Sequence, residues 1–192
     1  MKIANRADKE LIVDILAKSF EANRSINYIV KQDEKRFERI RILMGYSFEM
    51  CYLFGKVLLS IDENACALIL YPQKKKSSIR TILLDAKLIF RCVGLRNLKK
   101  TLSRESVIKR IQPEVDMVYL WFIGTHPCDQ NRGIGTALMS SVIQIATEQH
   151  LSIYLETSTL KNLPWYEKFG FEIYDEFNLG YRLFFLRRLF RK

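Results

Sequence analysis

Hydrophobic positions along the chain change their period several times, and each change marks an element. Lys2–Asn5 reads as a short first strand. Asp8 is placed to cap a helix from Lys9 to Phe20, with Ile12, Leu16 and Phe20 on one face. Positions 21–28 read as a loop followed by a weak segment. Helical spacing returns over Glu34–Met50. There Phe37, Ile40, Arg41, Met44 and Phe48 share a face, and the Arg41 stem lies along the apolar stripe. Gly55–Ile61 and Ala65–Tyr71 read as a hairpin turning at Asp62-Glu63-Asn64 and ended by Pro72. Positions 73–78 form a basic, polar loop.

Ile79, Ile82, Leu83, Ala86, Ile89, Phe90 and Val93 then trace a wide apolar helix face, with Gly94 and Asn97 marking its end. A shorter helix follows over Ser103–Ile111, ahead of Pro113. This insert, at about 79–111, is expected to cover one sheet face. A lid over a substrate site or a homodimer surface is the other reading. Met117–Ile123 is apolar on both alternating faces except for the Tyr119 hydroxyl, which predicts a central strand buried on both sides. A helical pattern runs to about Glu148, its inner face made by Leu138, Val142, Ile145 and Ala146. Ile153–Thr157 is the next strand. Asn162–Phe169 is a short helix, with Pro164 in its first turn and Gly170 as its C-terminal glycine. Phe171–Phe177 and Tyr181–Leu186 close the chain as a hairpin about Asn178-Leu179-Gly180. The tail Arg187–Lys192 mixes bases with Leu189 and Phe190. It reads as a last strand with a frayed basic end rather than as a membrane-surface contact. The whole describes one domain over 1–192, an α/β protein of the α+β kind with a mixed, mostly antiparallel sheet flanked by helices.

The turn between the Met117 strand and its helix is the part that suggests chemistry. Pro127 ends the strand because it donates no ladder hydrogen bond. Gly133 and Gly135 leave room for unusual backbone angles and for close approach of a ligand. The helix that follows presents unpaired N–H groups and the positive end of its dipole, and Arg132 adds a full charge. Together these favour a diphosphate, although a bare Gly-x-Gly also suits a plain tight connection. A dinucleotide fingerprint needs a third glycine where Leu138 stands. A P-loop needs Gly-Lys-Ser/Thr where the chain has Gly135-Thr136-Ala137.

Composition narrows the classes further. A 48% apolar and 27% charged chain of 192 residues suits a single globular core. The N-terminus lacks the apolar run of a secretory signal, and no apolar stretch is long enough for a membrane span, so stable membrane insertion is not expected. Cys51, Cys66, Cys92 and Cys128 are widely spaced with no C-x-x-C pair, which implies reduced thiols in a cytoplasmic protein. His126 and His150 have no metal-ligand spacing, so no metal is expected. The formal charge of +10 attracts anions, but its clusters are scattered and lack interleaved aromatics. Nucleic acid is therefore not an expected partner.

Two segments carry a resemblance. Gln130-x-x-Gly133-x-Gly135 resembles the acyl-CoA signature of the GNAT superfamily of acetyl-CoA-dependent N-acetyltransferases. Tyr166-Glu167-Lys168-Phe169-Gly170-Phe171 resembles that superfamily's closing segment. Leu155–Ser158 and Lys161–Phe171, with Gly55-Lys56-Val57 at mid-chain, are similar to the puromycin N-acetyltransferase branch. The resemblance implies a sheet splayed around acetyl-CoA and direct acetyl transfer to a primary amine. The acceptor is expected to be a small or antibiotic-like molecule rather than a protein amine. The alternative is an acyl-CoA-binding regulatory protein without turnover. Residues between Phe20 and Tyr46 are expected to help choose the acceptor. Thr125, Leu160 and Lys161 depart from the family pattern on that side.

By the same resemblance, the N–H groups of Asn131, Arg132, Gly133, Ile134, Gly135 and Thr136, with Gln130, hold the pyrophosphate. Ile123, Gly124 and Thr125 pair with the pantetheine arm, a freed N–H near Phe122 or Ile123 faces the thioester oxygen, and Asn162 joins the cofactor set. Tyr166 stands beside the sulfur as a general acid, or else packs under the cofactor. Glu156 lies between apolar Leu155 and Thr157 on a strand expected near the site, which makes it the candidate base. A structural carboxylate bonded to backbone or a tyrosine is its other reading.

Overall fold

The computed structural model describes residues 1–191. Its seven strands are β1 (Lys2–Ile3), β2 (Gly55–Leu59), β3 (Ala65–Leu70), β4 (Met117–Thr125), β5 (Ser152–Thr157), β6 (Glu172–Asn178) and β7 (Arg182–Arg188). They form one sheet in the order β1-β2-β3-β4-β5-β7-β6. Every neighbouring pair is antiparallel except β4 with β5. The helices are α1 (Lys9–Ser19), α2 (Arg24–Ile29), α3 (Arg36–Phe54), α4 (Ile79–Leu88), α5 (Leu95–Ile111), α6 (Ile134–Glu148) and α7 (Leu163–Lys168).

The first helix starts differently from the expected Asp8 cap. Asn5 accepts from the Ala7 N–H at 2.7 Å, and Asp8 accepts from the Asn5 N–H at 2.8 Å. This reciprocal pair closes a short 3-10 turn that leads into α1. The region read as a loop contains α2, whose start is capped by the Asn23 side chain accepting from Ile26 N–H at 3.1 Å. A six-residue helix is too short for its periodicity to stand out.

Apolar packing fixes both sides of the sheet. Ile12 and Leu16 of α1, with Ile40, Met44 and Phe48 of α3, cover one face over Leu68 and Phe122. Leu138, Val142 and Ala146 of α6 cover the other, over Val118, Leu120, Ile153 and Leu155. At the far end Ile108 of α5 packs on Tyr181, Leu183 and Phe185. Burial on this scale is the main stabilising term of the fold.

The insert departs most from expectation. Helix α4 passes into a π turn over Ile89–Val93, and α5 begins at Leu95, well before Ser103. Gly94, at φ 72°, ends one helix and opens the next, a backbone angle that glycine adopts without steric cost. The apolar stripe of α4 does not cover the sheet. Ile79, Ile82, Leu83 and Phe90 are 80%, 60%, 65% and 69% exposed. What faces the protein is buried Thr81, Leu88 against the α1–α3 cluster, and two polar ties: Arg80 pairs with Glu49 at 2.6 Å, and Asp85 accepts from the Tyr46 hydroxyl at 2.7 Å.

Candidate active site

Strand β4 is irregular on both edges. Its pairing with β3 passes from Phe122 opposite Leu68 to Leu120 opposite Ile69, so Trp121 is an extra, unpaired residue. The bulge brings consecutive Trp121 and Phe122 onto the α1 and α3 side. Trp121 meets the Tyr46 ring at 6.1 Å, and Phe122 meets Phe20 at 5.2 Å, both edge-on. On the other edge, β4 pairs with β5 only from Met117 to Tyr119, which lies opposite Tyr154. Beyond that point β4 continues to Thr125 and β5 to Thr157 without pairing one another. The backbone of Leu120–Thr125 therefore lines a gap that an extended ligand can enter as an added strand. Gly124 is buried there; a Cβ on it would stand 3.0 Å from the Ser19 hydroxyl and 3.1 Å from Leu16.

The turn beyond β4 has an unusual backbone. Pro127–Asp129 is a 3-10 turn, Gln130 is extended, Asn131 is left-handed at φ 64° and Gly133 at φ 80°. Left-handed residues in such a turn gather successive N–H groups into an anion-sized concavity, here at the N-terminus of α6. A Cβ at Gly133 would meet no atom within 4 Å, so that side of the turn is open. The wall at Gly135 is set by Thr125 Oγ1 and Trp165, 3.7 and 3.8 Å from where its Cβ would lie. Gln130, Asn131, Arg132 and Thr136 are exposed, and Ile134 is half-buried. Arg132 pairs with Asp129 at 2.6 Å, which offsets part of the charge expected of it. Asn162 closes a 3-10 turn and opens α7.

Tyr166 and Glu156 lie on opposite faces of the sheet. Tyr166 is buried on α7 in the α6-side cluster, against Trp165 at 5.0 Å and Phe171 at 5.7 Å. Burial pushes its phenol well up. Ile153 and Leu155 face α6, so the alternation of β5 turns Glu156 to the other side. There Glu156 Oε2 accepts from the Tyr119 hydroxyl at 2.5 Å, and Oε1 accepts from Gln112 Nε2 at 2.8 Å. Burial raises the Glu156 carboxyl above its ordinary value; Tyr119, Gln112 and nearby Arg104 work the other way.

A polar layer surrounds this carboxylate. Arg104 Nη2 donates to Ser25 Oγ at 2.8 Å and its Nε to the Tyr181 hydroxyl at 3.2 Å. Asn23 of the α1–α2 connection reaches Ser158 and Thr159 after β5, both at 3.4 Å. Sequence reasoning did not find Gln112 or Arg104. The one available signal was Tyr119, a hydroxyl on an otherwise apolar strand that needs a buried partner. Gln112, beside Pro113, gave none.

A parted pair of parallel strands beside a left-handed turn at a helix N-terminus leaves room for an extended ligand with an anionic end. Residues 89–171 match the family described as Acetyltransferase (GNAT) family. A solved structure from Corynebacterium glutamicum, described as histone acetyltransferase HPA2 and related acetyltransferase, is similar at TM-score 0.73. It is 18% identical, with 100% of this chain and 96% of that chain covered. Arylalkylamine N-acetyltransferase 2 from Aedes aegypti is similar at TM-score 0.66 and 14% identity, over 99% of this chain and 98% of that one. These two likenesses establish the fold. An uncharacterized N-acetyltransferase of Schizosaccharomyces pombe is 40% identical over 53 residues, 28% of this chain and 22% of the relative's own length. The family match over residues 89–171 spans less than half of the 192-residue chain, and the chain covers about a fifth of the length of this curated relative.

Proposed function

We propose that the chain transfers the acetyl group of acetyl-CoA to a primary amine by direct attack in a ternary complex. The observation that carries this reading is the parting of β4 from β5 beside the left-handed turn at Asn131 and Gly133. The open side of Gly133 and the unpaired β4 edge fit an extended ligand ending in a diphosphate. Acetyl-CoA, when bound, supplies an activated thioester.

The chain's own residues account for the rest. N–H groups of Asn131–Thr136, bordered by Gln130, are the donors for a pyrophosphate. The edge at Ile123, Gly124 and Thr125, with Asn162 at the start of α7, is the path for a pantetheine arm. An N–H freed at the Trp121 bulge, at Phe122 or Ile123, is the donor for a thioester oxygen. Glu156, half-buried on the face away from α6, receives a proton from an incoming ammonium through water. Its raised pKa brings it closer to the range in which a base works near neutrality. Tyr166 keeps its proton on Oη through the alkaline range, as a donor to a departing thiolate must. The bridge from Asn23 to Ser158 and Thr159 closes over the end of β5, which favours a small or antibiotic-like amine over a protein amine.

The test is a thermal-shift titration with acetyl-CoA, with CoA and NADH alongside, followed by CoA-thiol release across a panel of amines. A ligand at 100 times its dissociation constant adds about 2.7 kcal/mol. Saturable stabilisation by both CoA species and none by NADH, with thiol release on a small amine, supports the reading. No shift at millimolar acetyl-CoA overturns it. Binding without release from any amine leaves a CoA-binding regulatory protein instead.

A further inference from the structure

The chain's net charge is carried by one segment, the basic loop before α4 together with the insert. Twelve basic and two acidic residues lie between Lys74 and Arg110, a formal +10 that equals the net charge of the whole protein, so the remainder is formally neutral. Within this segment Arg80 pairs with Glu49 and Arg104 with Glu105, and no other cation of the segment forms an ion pair among the described residues. The same segment carries the outward apolar ridge. Ile79, Ile82 and Leu83 are spaced for one helix face, and Phe90 continues it onto the π turn. All four are more than half exposed. A helix in contact with water alone turns such a face inward. Here α4 is held the other way round, its Arg80 and Asp85 tied to Glu49 and Tyr46 of α3.

We propose that this ridge, with the exposed cations of the same segment, docks the protein onto an anionic lipid surface. An exposed apolar helix face within a strongly basic segment is the pattern of an interfacial helix, whose apolar side enters the headgroup region while its bases meet anionic lipid. A second copy of the chain is a poor occupant, because it sets one +10 segment against another. A nucleic-acid backbone uses the cations but leaves Ile82, Leu83 and Phe90 facing water. No helix of the described residues is long and apolar enough to cross a membrane, so the contact is peripheral.

The experiment is co-sedimentation of the full chain with vesicles of phosphatidylglycerol and phosphatidylcholine in equal parts, and with phosphatidylcholine alone. Three variants are compared: Ile82→Ser/Leu83→Ser/Phe90→Ser, Lys75→Ala/Lys76→Ala/Lys99→Ala, and Ile61→Ser as an exposed apolar control outside the ridge. Circular dichroism melting confirms that each is folded. The expected result is binding to the anionic vesicles only, weakening as salt rises. Both triple variants lose about tenfold in affinity or more, and the Ile61 variant binds like the parent. Absence of anionic-vesicle binding at low salt overturns the proposal. So does unchanged binding by a folded ridge variant, which reduces the attraction to charge alone. A self-association that survives the ridge substitutions while vesicles go unbound overturns it too.

Discussion

The Tyr119 hydroxyl donates to Glu156 Oε2 from the last paired residue of β4 to a carboxylate two positions past its partner Tyr154 on β5. The bond therefore spans the strands at the place where they part. It couples a residue of the splay to the candidate base, with Gln112 holding the other carboxylate oxygen.

Glu156→Gln keeps the shape and removes the basic oxygen. Acetylation is expected to fall in kcat by about a hundredfold or more, with acetyl-CoA binding unchanged by thermal shift. Steady-state thiol release on an accepted amine reads this directly. Activity within tenfold of the parent would leave the carboxylate a structural role only.

Tyr119→Phe removes a hydrogen bond that lowers the Glu156 pKa. The carboxyl pKa is then expected to rise further. A base must be deprotonated, so the acid limb of the pH–rate profile moves to higher pH. A full kcat/KM profile of the variant, against the parent, checks the direction of the move.

Stability carries the same sign information. Burial raises folded Glu156 above the ordinary glutamate value of 4.5. The stability this group contributes is present below about 4.5 and is lost as pH rises through its folded pKa. Glu156→Gln lacks that loss, so its stability relative to the parent is expected to improve as pH increases from acid to neutral. Urea unfolding at a series of pH values measures it. Glu49, held low by Lys9 and Arg80 against its burial, has the opposite slope and loses stability as pH falls.

Tyr166→Phe is expected to lower kcat by about tenfold to a hundredfold while its melting temperature stays close to the parent's. The phenol packs through its ring, against Trp165 and Phe171, and the variant keeps that ring. An unchanged kcat would make Tyr166 a packing residue beneath the cofactor.

Gly133→Ala separates binding from folding. A Cβ there meets no protein atom, so the cost is the left-handed backbone, about 1 kcal/mol. The methyl nonetheless projects into the open side of the turn. Thermal-shift titration is expected to show a weaker acetyl-CoA response with only a small fall in the melting temperature of the free protein.

The elements of the second half were legible because their signals are local. Pro127, the Gly133-x-Gly135 turn, the α6 stripe and Gly170 each constrain a few neighbouring residues, and the element order follows. The exposed α4 ridge was misread for a related reason. Periodicity reports that a helix has an apolar face; it does not report which way the helix is turned. That choice was made by Arg80 and Asp85 finding Glu49 and Tyr46, partners more than thirty residues away. The same holds at the candidate site. Sequence alone singled out Glu156, Tyr166 and the glycine turn, and showed Tyr119 to be a lone hydroxyl. Only the tertiary structure parted β4 from β5, put Glu156 and Tyr166 on opposite faces and gathered Gln112 and Arg104 around the carboxylate. Hydrogen bonds between distant residues depend on strand register and helix placement, and these are set by the packing of the whole core.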